Sequence, residues 1–166
     1  SIDHPFNPLA LAMGADSTFV ARTLDRDPKH MRPILVEGEK HKGTSLIEIY
    51  QNCNIFNDGA FFTFTEKATK GESVIYIEHG KPLIFGFKSE KGIVLDGFTP
   101  KVVLLADVDL SEVWVHNKYD RIKASILTRF FDDPRMEGAL PRPFGIFYQE
   151  ERGLYELGVK AQIEKH

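Results

Sequence analysis

The chain has 166 residues, 42% of them hydrophobic, and a formal charge of −3, enough apolar content for one sizeable core or one core with an extension packed on it. Its charges are scattered, which excludes the basic stripe of a nucleic-acid binder and the acidic run of a disordered tail. The longest apolar stretches, such as Val102 to Ala106, are too short to span a bilayer. The opening Ser1-Ile2-Asp3-His4-Pro5 has neither the basic start nor the apolar run of a signal peptide. Cys53 has no second cysteine to pair with, so a reducing, cytoplasmic compartment is expected. The lack of a Met before Ser1 suggests a chain cut from something longer, or one whose start was processed.

In chain order, Asn7 to Ala15 reads as a short helix, with Asn7 as N-cap and Pro8 at the first helical position. Thr18 to Arg22 reads as a strand. Asp27-Pro28 starts a second helix whose Met31, Ile34, Leu35 and Gly38 share a face. Gly43 is its expected C-cap, and Pro33 is expected to kink it or delay its start. Ser45 to Tyr50 is the next strand. Strand, helix and strand in this compass form a βαβ unit, which implies parallel strands and a right-handed crossover.

Beyond Asn57 the pattern changes. Ser73 to Glu78 and Leu83 to Phe87 are β-rich runs around a turn at His79-Gly80-Lys81-Pro82. Ile93 to Asp96, Val102 to Ala106 and Val113 to His116 are further strand candidates. Asp120 to Phe131 reads as a helix, with Pro134 beyond its end. Asp132 to Pro143 reads as an exposed loop, Phe144 to Tyr148 as a strand and Glu151 to Lys165 as a terminal helix. The fold class is therefore α/β. Residues 1–57 form part of an open parallel-sheet domain, and residues 58–166 a mixed α+β extension.

Ligands of open α/β sheets bind beyond the carboxyl ends of the parallel strands. There the second strand runs into Gln51-Asn52-Cys53-Asn54-Ile55-Phe56-Asn57-Asp58-Gly59, a polar stretch holding the single thiol. On pattern alone a lone Cys reads as a buried small hydrophobe, and a metal centre at Cys53 needs ligands from elsewhere. His30 and His41 are eleven positions apart, too far along a helix to chelate one ion, and read as a solvated helix surface. His116, beside Trp114, reads as a core or edge histidine. The pairs Asp132-Asp133 and Glu150-Glu151 read as solvated. The glycines form no phosphate-binding loop, and Ser45 lacks the flanking glycines of a nucleophile elbow.

One ordered series of segments carries a resemblance. It runs from Ser1-Ile2-Asp3-His4-Pro5-Phe6-Asn7-Pro8-Leu9-Ala10-Leu11-Ala12 through Ala15-Asp16-Ser17-Thr18-Phe19-Val20-Ala21-Arg22 and Asp27-Pro28-Lys29-His30. It continues with His41-Lys42-Gly43-Thr44-Ser45-Leu46-Ile47-Glu48-Ile49 and ends at Cys53-Asn54-Ile55-Phe56-Asn57. In this order and spacing it resembles the region after the thiamine-diphosphate motif in 2-oxoacid:ferredoxin oxidoreductase β subunits, whose Cys-Pro-x-Phe-Asn corresponds to Cys53–Asn57. Pro141-Arg142-Pro143 and Phe144-Gly145-Ile146-Phe147 resemble the family's C-terminal region more loosely.

The resemblance implies a thiamine diphosphate, Mg²⁺ and 4Fe-4S enzyme, with Cys53 as the fourth cluster ligand and the other three cysteines upstream of Ser1. It implies an α subunit, ferredoxin, coenzyme A and a 2-oxoacid as partners, with neither nucleic acid nor membrane. The string Ile49 to Gly59 looks most like β subunits assigned to 2-oxoglutarate, with pyruvate as the alternative. A non-catalytic α/β binding or oligomerisation module is the alternative of another class. Two departures stand out: Asn54 replaces the usual Pro, and the Gly-Asp-Gly…Asn motif that holds Mg²⁺ and the diphosphate is missing from these residues. The chain alone is therefore expected to be inactive, to contain no catalytic residue, and to bind thiamine diphosphate weakly. A partial domain is also expected to expose apolar surface at Leu9, Leu11 and the first strand and to self-associate through it.

Overall fold

The structure, a computed structural model, describes residues 5–133, 135–136 and 138–165. The expectations that fall on Ser1 to His4 and on Pro134 lie outside the described residues. The Asn7 side chain accepts the Ala10 N–H at 3.1 Å and opens helix α1, Pro8–Gly14. Strand β1, Phe19–Leu24, is buried along its whole length. Asp27 accepts the His30 N–H at 3.2 Å and opens helix α2, Pro28–Lys40. This helix runs through Pro33 and forgoes the bond that a residue there would give to the Lys29 carbonyl. Only Ile34 and Gly38 of its expected apolar face are fully buried, and Leu35 is exposed. Its C-cap is His41 rather than Gly43. Gly43 instead makes a turn at φ 138°, where Thr18 Oγ1 occupies the space of a Cβ. Strand β2, Ser45–Tyr50, then pairs parallel with β1, from Phe19 opposite Ser45 to Leu24 opposite Tyr50. The predicted βαβ unit is present.

Two single-turn helices follow, α3 (Phe62–Thr65) and α4 (Lys70–Ser73), and α4 leads directly into β3, Val74–Ile77. Strands β4 (Ile84–Phe85), β5 (Lys91–Asp96) and β6 (Thr99–Leu104) make a small antiparallel sheet. After a 3₁₀ turn at Leu110–Glu112 come α5 (Arg121–Leu127), β7 (Arg142–Gln149) and α6 (Tyr155–Ile163). The larger sheet has the order β2-β1-β7-β3. Strand β7 is antiparallel to β1 and parallel to β3, so the sheet is mixed rather than wholly parallel, and it draws strands from both sides of residue 57.

Several boundaries shift for packing reasons. Val113 to His116 forms no strand of its own but a bridge from Val115 to Pro82, with Trp114 N–H bonded to the Ile93 carbonyl at 2.7 Å. Helix α5 stops at Leu127 because the chain must turn Phe130 inward against Trp114, ring centroids 6.2 Å apart. The loop expected to be exposed up to Pro143 is buried over its last three residues, because Arg142 already belongs to β7. Helix α6 begins at Tyr155 and buries none of its residues.

The expected bare apolar face is covered. Leu9 and all of β1 are buried, and only Leu11, at 59% exposure, faces solvent. Strand β7 supplies the cover by closing the free edge of β1. It contributes Phe147 to a core with Leu9, Ile75, Trp114 and Leu127, while Phe144 packs with Leu24, Tyr50 and Phe64. No helix among the described residues is long and apolar enough to cross a membrane.

At Gly145 the backbone of β7 leaves no room for a side chain against β3. The φ of this glycine is 141°, and a Cβ there would lie 2.3 Å from the Ile77 carbonyl oxygen, a backbone atom that cannot yield cheaply. Gly97 also has positive φ, at 61°, but nothing lies near the site of its Cβ. Gly145→Ala should therefore cost on the order of 3 kcal/mol and Gly97→Ala about 1 kcal/mol or less. Urea unfolding of the two variants measures this, and equal midpoints would contradict the close approach.

Candidate functional site

The carboxyl ends of β1 and β2 are held by charge inside the core. Arg22 has no exposed side-chain surface, and its Nε donates to Glu48 Oε2 at 2.6 Å across the β1–β2 pair. Its Nη1 donates to the Pro143 carbonyl of β7 at 3.3 Å, and its Nη2 has no partner among the described residues. The guanidinium lies 5.3 Å from the Tyr50 ring centroid and 5.4 Å from that of Phe147. A second cation, Arg142, donates to the Tyr50 hydroxyl at 2.8 Å and to the carbonyls of Phe131 and Asp132. It stacks on Phe131 at 4.3 Å. Burial pulls the Arg142 pKa down from its ordinary value, and the same burial pushes the Tyr50 hydroxyl up. Tyr50 is thus clamped between two guanidiniums and stacked on Phe61 at 4.3 Å. A cleft of about 650 Å³ opens above it, lined by Asp58, Phe61, Phe64, Phe131 and Arg142.

Three residues after Tyr50, the loop carries Cys53. It is tied down by Asn52, whose Nδ2 donates to Asn54 Oδ1 at 2.8 Å and to Asp58 Oδ1 at 2.9 Å, and whose Oδ1 accepts the Gly59 N–H at 2.8 Å. The Asn52 N–H donates to Asp25 Oδ2 at 3.2 Å, anchoring the loop to the end of β1. Inside this ring the Asn57 N–H reaches the Cys53 carbonyl at 3.0 Å. Cys53 is a partly exposed free thiol rather than a core residue. Its pKa lies below the ordinary thiol value, lowered chiefly by the nearby backbone amides of Phe56 and Ile55 and further by that of Asn57, against smaller opposing pushes from desolvation and the Asp58 carboxylate. Such a sulfur is prepared to be a thiolate, the form that binds metal. Ile55 and Phe56 beside it are 84% and 90% exposed.

Among the described residues no group of three or more His, Cys, Asp or Glu could hold a metal ion. The chain thus presents one sulfur, not a whole site. The donor set fits a cluster ligand, since cluster iron is held by thiolates and tuned by hydrogen bonds to sulfur.

The histidines lie elsewhere. His30 and His41 are not a solvated face: His30 Nδ1 meets Thr23 Oγ1 at 2.9 Å with its ring against Tyr76, and His41 Nε2 meets Thr18 Oγ1 at 2.8 Å. Both pack helix α2 and its exit onto β1. His116 is 1% exposed, with Nε2 against the Ile146 carbonyl at 2.8 Å, as expected of a core histidine. Sequence reasoning missed Asn52, Arg22 and Arg142. A charge inside the apolar run Phe19–Leu24, and another between two prolines, were the available signals.

No family model matches the chain. It is 38% identical over 165 residues, 98% of its length, to the 2-oxoglutarate oxidoreductase subunit KorB of Mycobacterium tuberculosis. The chain is homologous to part of the β subunit of the 2-oxoacid:ferredoxin oxidoreductases. It spans 43% of KorB. The 2-oxoacid:ferredoxin oxidoreductase subunit beta of Saccharolobus solfataricus is 41% identical over 58 residues, 35% of this chain and 19% of that protein. The fold is similar to that of the solved 2-oxoglutarate:ferredoxin oxidoreductase from Magnetococcus marinus, with TM-score 0.60 over 99% of this chain and 40% of the other at 17% identity.

The Arg22–Glu48 pair generates a stability prediction for this β-subunit segment. Glu48→Leu leaves Arg22 without its carboxylate beside a second buried cation and should cost about 3–5 kcal/mol. Adding Arg22→Met should recover most of that loss, because no buried charge is then stranded. A double-mutant cycle by urea unfolding checks this, and additive losses would show that the two groups do not depend on each other.

Proposed function

We propose that this chain supplies the cluster-ligating C-terminal portion of a 2-oxoglutarate:ferredoxin oxidoreductase β subunit. The complete enzyme would convert 2-oxoglutarate and coenzyme A to succinyl-CoA and carbon dioxide, passing two electrons, one at a time, to two ferredoxins with release of a proton. Thiamine diphosphate with Mg²⁺ would supply the electron sink for decarboxylation. This chain's own part is to hold one iron of a 4Fe-4S cluster through the Cys53 thiolate. The N–H groups of Ile55, Phe56 and Asn57 would spread the negative charge on that sulfur, and the solvent-facing side of the loop would meet the remaining ligands. The Arg22, Glu48, Tyr50 and Arg142 group would fix the strand ends from which the loop departs. The observation that carries the reading is the placement of Cys53: a partly exposed thiol, wrapped by backbone amides at the carboxyl end of β2, in a chain aligned with KorB over nearly its whole length. The α subunit is the partner that this reading requires, and 2-oxoglutarate is favoured as substrate by the KorB relative.

Cys53→Ala in the assembled enzyme tests the reading. Iron per β subunit should fall and the electron paramagnetic resonance signal of the reduced cluster should disappear, with ferredoxin reduction lost. A plain thiol removed from this exposed loop would instead leave iron and signal intact, at a stability cost of about 1 kcal/mol or less.

A further inference from the structure

The cleft above Tyr50 takes no part in the reading of Cys53, yet its floor holds donors that the fold leaves without acceptors. Arg142 and Tyr50 both line it, at 7% and 5% exposure. The Arg142 contacts go to the Tyr50 hydroxyl and to the carbonyls of Phe131 and Asp132. A guanidinium has more N–H donors than these contacts use. All the partners are neutral, and Arg142 forms no ion pair among the described residues. Tyr50 accepts from Arg142, and its own O–H has no acceptor among the described residues. Arg22 and Arg142 lie 5.3 Å and 6.0 Å from the Tyr50 ring centroid, and Glu48, bonded to Arg22, is the one carboxylate paired with either. Buried charges are normally paired, so the floor has positive charge and open donors to spare.

The rest of the cleft narrows the ligand. Its walls are rings: Phe61 stacks on Tyr50 at 4.3 Å, and Phe131 lies 4.3 Å from the Arg142 guanidinium. A volume of about 650 Å³ is that of a small-molecule site rather than of a packing gap. The rim is acidic, with Asp58 and Asp132 exposed and Asp133 paired to Arg135 at 2.6 Å. Those carboxylates repel a doubly charged phosphate more than a singly charged carboxylate. One carboxylate on a flat apolar body therefore suits floor, walls and rim together.

We propose that the cleft above Tyr50 is a binding site for a small aromatic monocarboxylate, whose carboxylate meets Arg142 and the Tyr50 hydroxyl and whose ring lies between Phe61 and Phe131. The inference does not rest on iron at Cys53.

Fluorine NMR of the assembled enzyme tests it, with para-fluorobenzoate as probe and saturating 2-oxoglutarate present to fill any substrate carboxylate site. The probe should bind saturably with a dissociation constant of about 1 mM or below. The uncharged para-fluorobenzamide and the doubly charged para-fluorophenyl phosphate should each bind at least about tenfold more weakly. Arg142→Lys keeps a cation but loses the planar fork, and Tyr50→Phe removes only the hydroxyl. Each should weaken benzoate binding by about tenfold. Cys53→Ala should bind the probe like wild type whatever its iron content, which separates this site from the cluster reading. The proposal is overturned by an absence of saturable binding, by equal binding of either analogue, or by wild-type affinity in either site variant. Should Arg142→Lys fail to assemble, Tyr50→Phe and the three probes decide.

Discussion

A buried cation in the central strand organises this chain. Arg22 lies in β1 with no exposed side-chain surface and must find its partners inside the fold. It finds Glu48 on β2, the Pro143 carbonyl on β7 and the rings of Tyr50, Phe131 and Phe147. These contacts reach both neighbouring strands of β1, so a shift in either register would strand the charge. A buried ion pair is weak evidence for net stability, because desolvation offsets much of the attraction. Its effect here is on specificity: this arrangement of β2, β1 and β7 gives the guanidinium its Glu48 and Pro143 partners, and a shifted register would remove them.

The consequence falls at the carboxyl end of β2. Tyr50 is the last residue of that strand, and Arg142 holds its hydroxyl from the start of β7. With the strand end fixed, the next residues have a defined departure point, and Asp25 at the end of β1 takes hold of Asn52. From there the loop supports itself through side-chain amides. The result is a thiol that is accessible, surrounded by amides and carried on a rigid sheet rather than a drifting connection. This is the arrangement a metal-ligand loop needs: the first contact is preorganised by hydrogen bonds behind it.

Local chemistry was legible in the sequence. The Asn7 and Asp27 caps, the βαβ unit and the turn after β3 are written in short-range patterns, and the structure contains each. The segment around Cys53 was identifiable because strand ends of open α/β sheets are where ligands bind. What the linear pattern could not show was long-range. Strand β7 returns from the far end of the chain to lie against β1, covering apolar surface that looked bare and making the sheet mixed. The burial of Arg142 depends on that return, so a stretch rich in proline and charge read as exposed loop. His30 and His41 looked solvated because their threonine partners are distant in the sequence, Thr23 in β1 and Thr18 just before it. The role of Asn52 was hidden because a polar residue in a turn is ordinary until its three partners are known.

The central claim is that the Cys53 sulfur of this loop is bonded to cluster iron in the complete enzyme. Alkylation of the native, iron-loaded complex with iodoacetamide, before and after the iron is removed, followed by peptide mapping, tests it most directly. The account predicts that Cys53 is protected in the loaded complex and becomes labelled once iron is stripped. Rapid labelling of Cys53 in the loaded complex, with full iron retained, would contradict it.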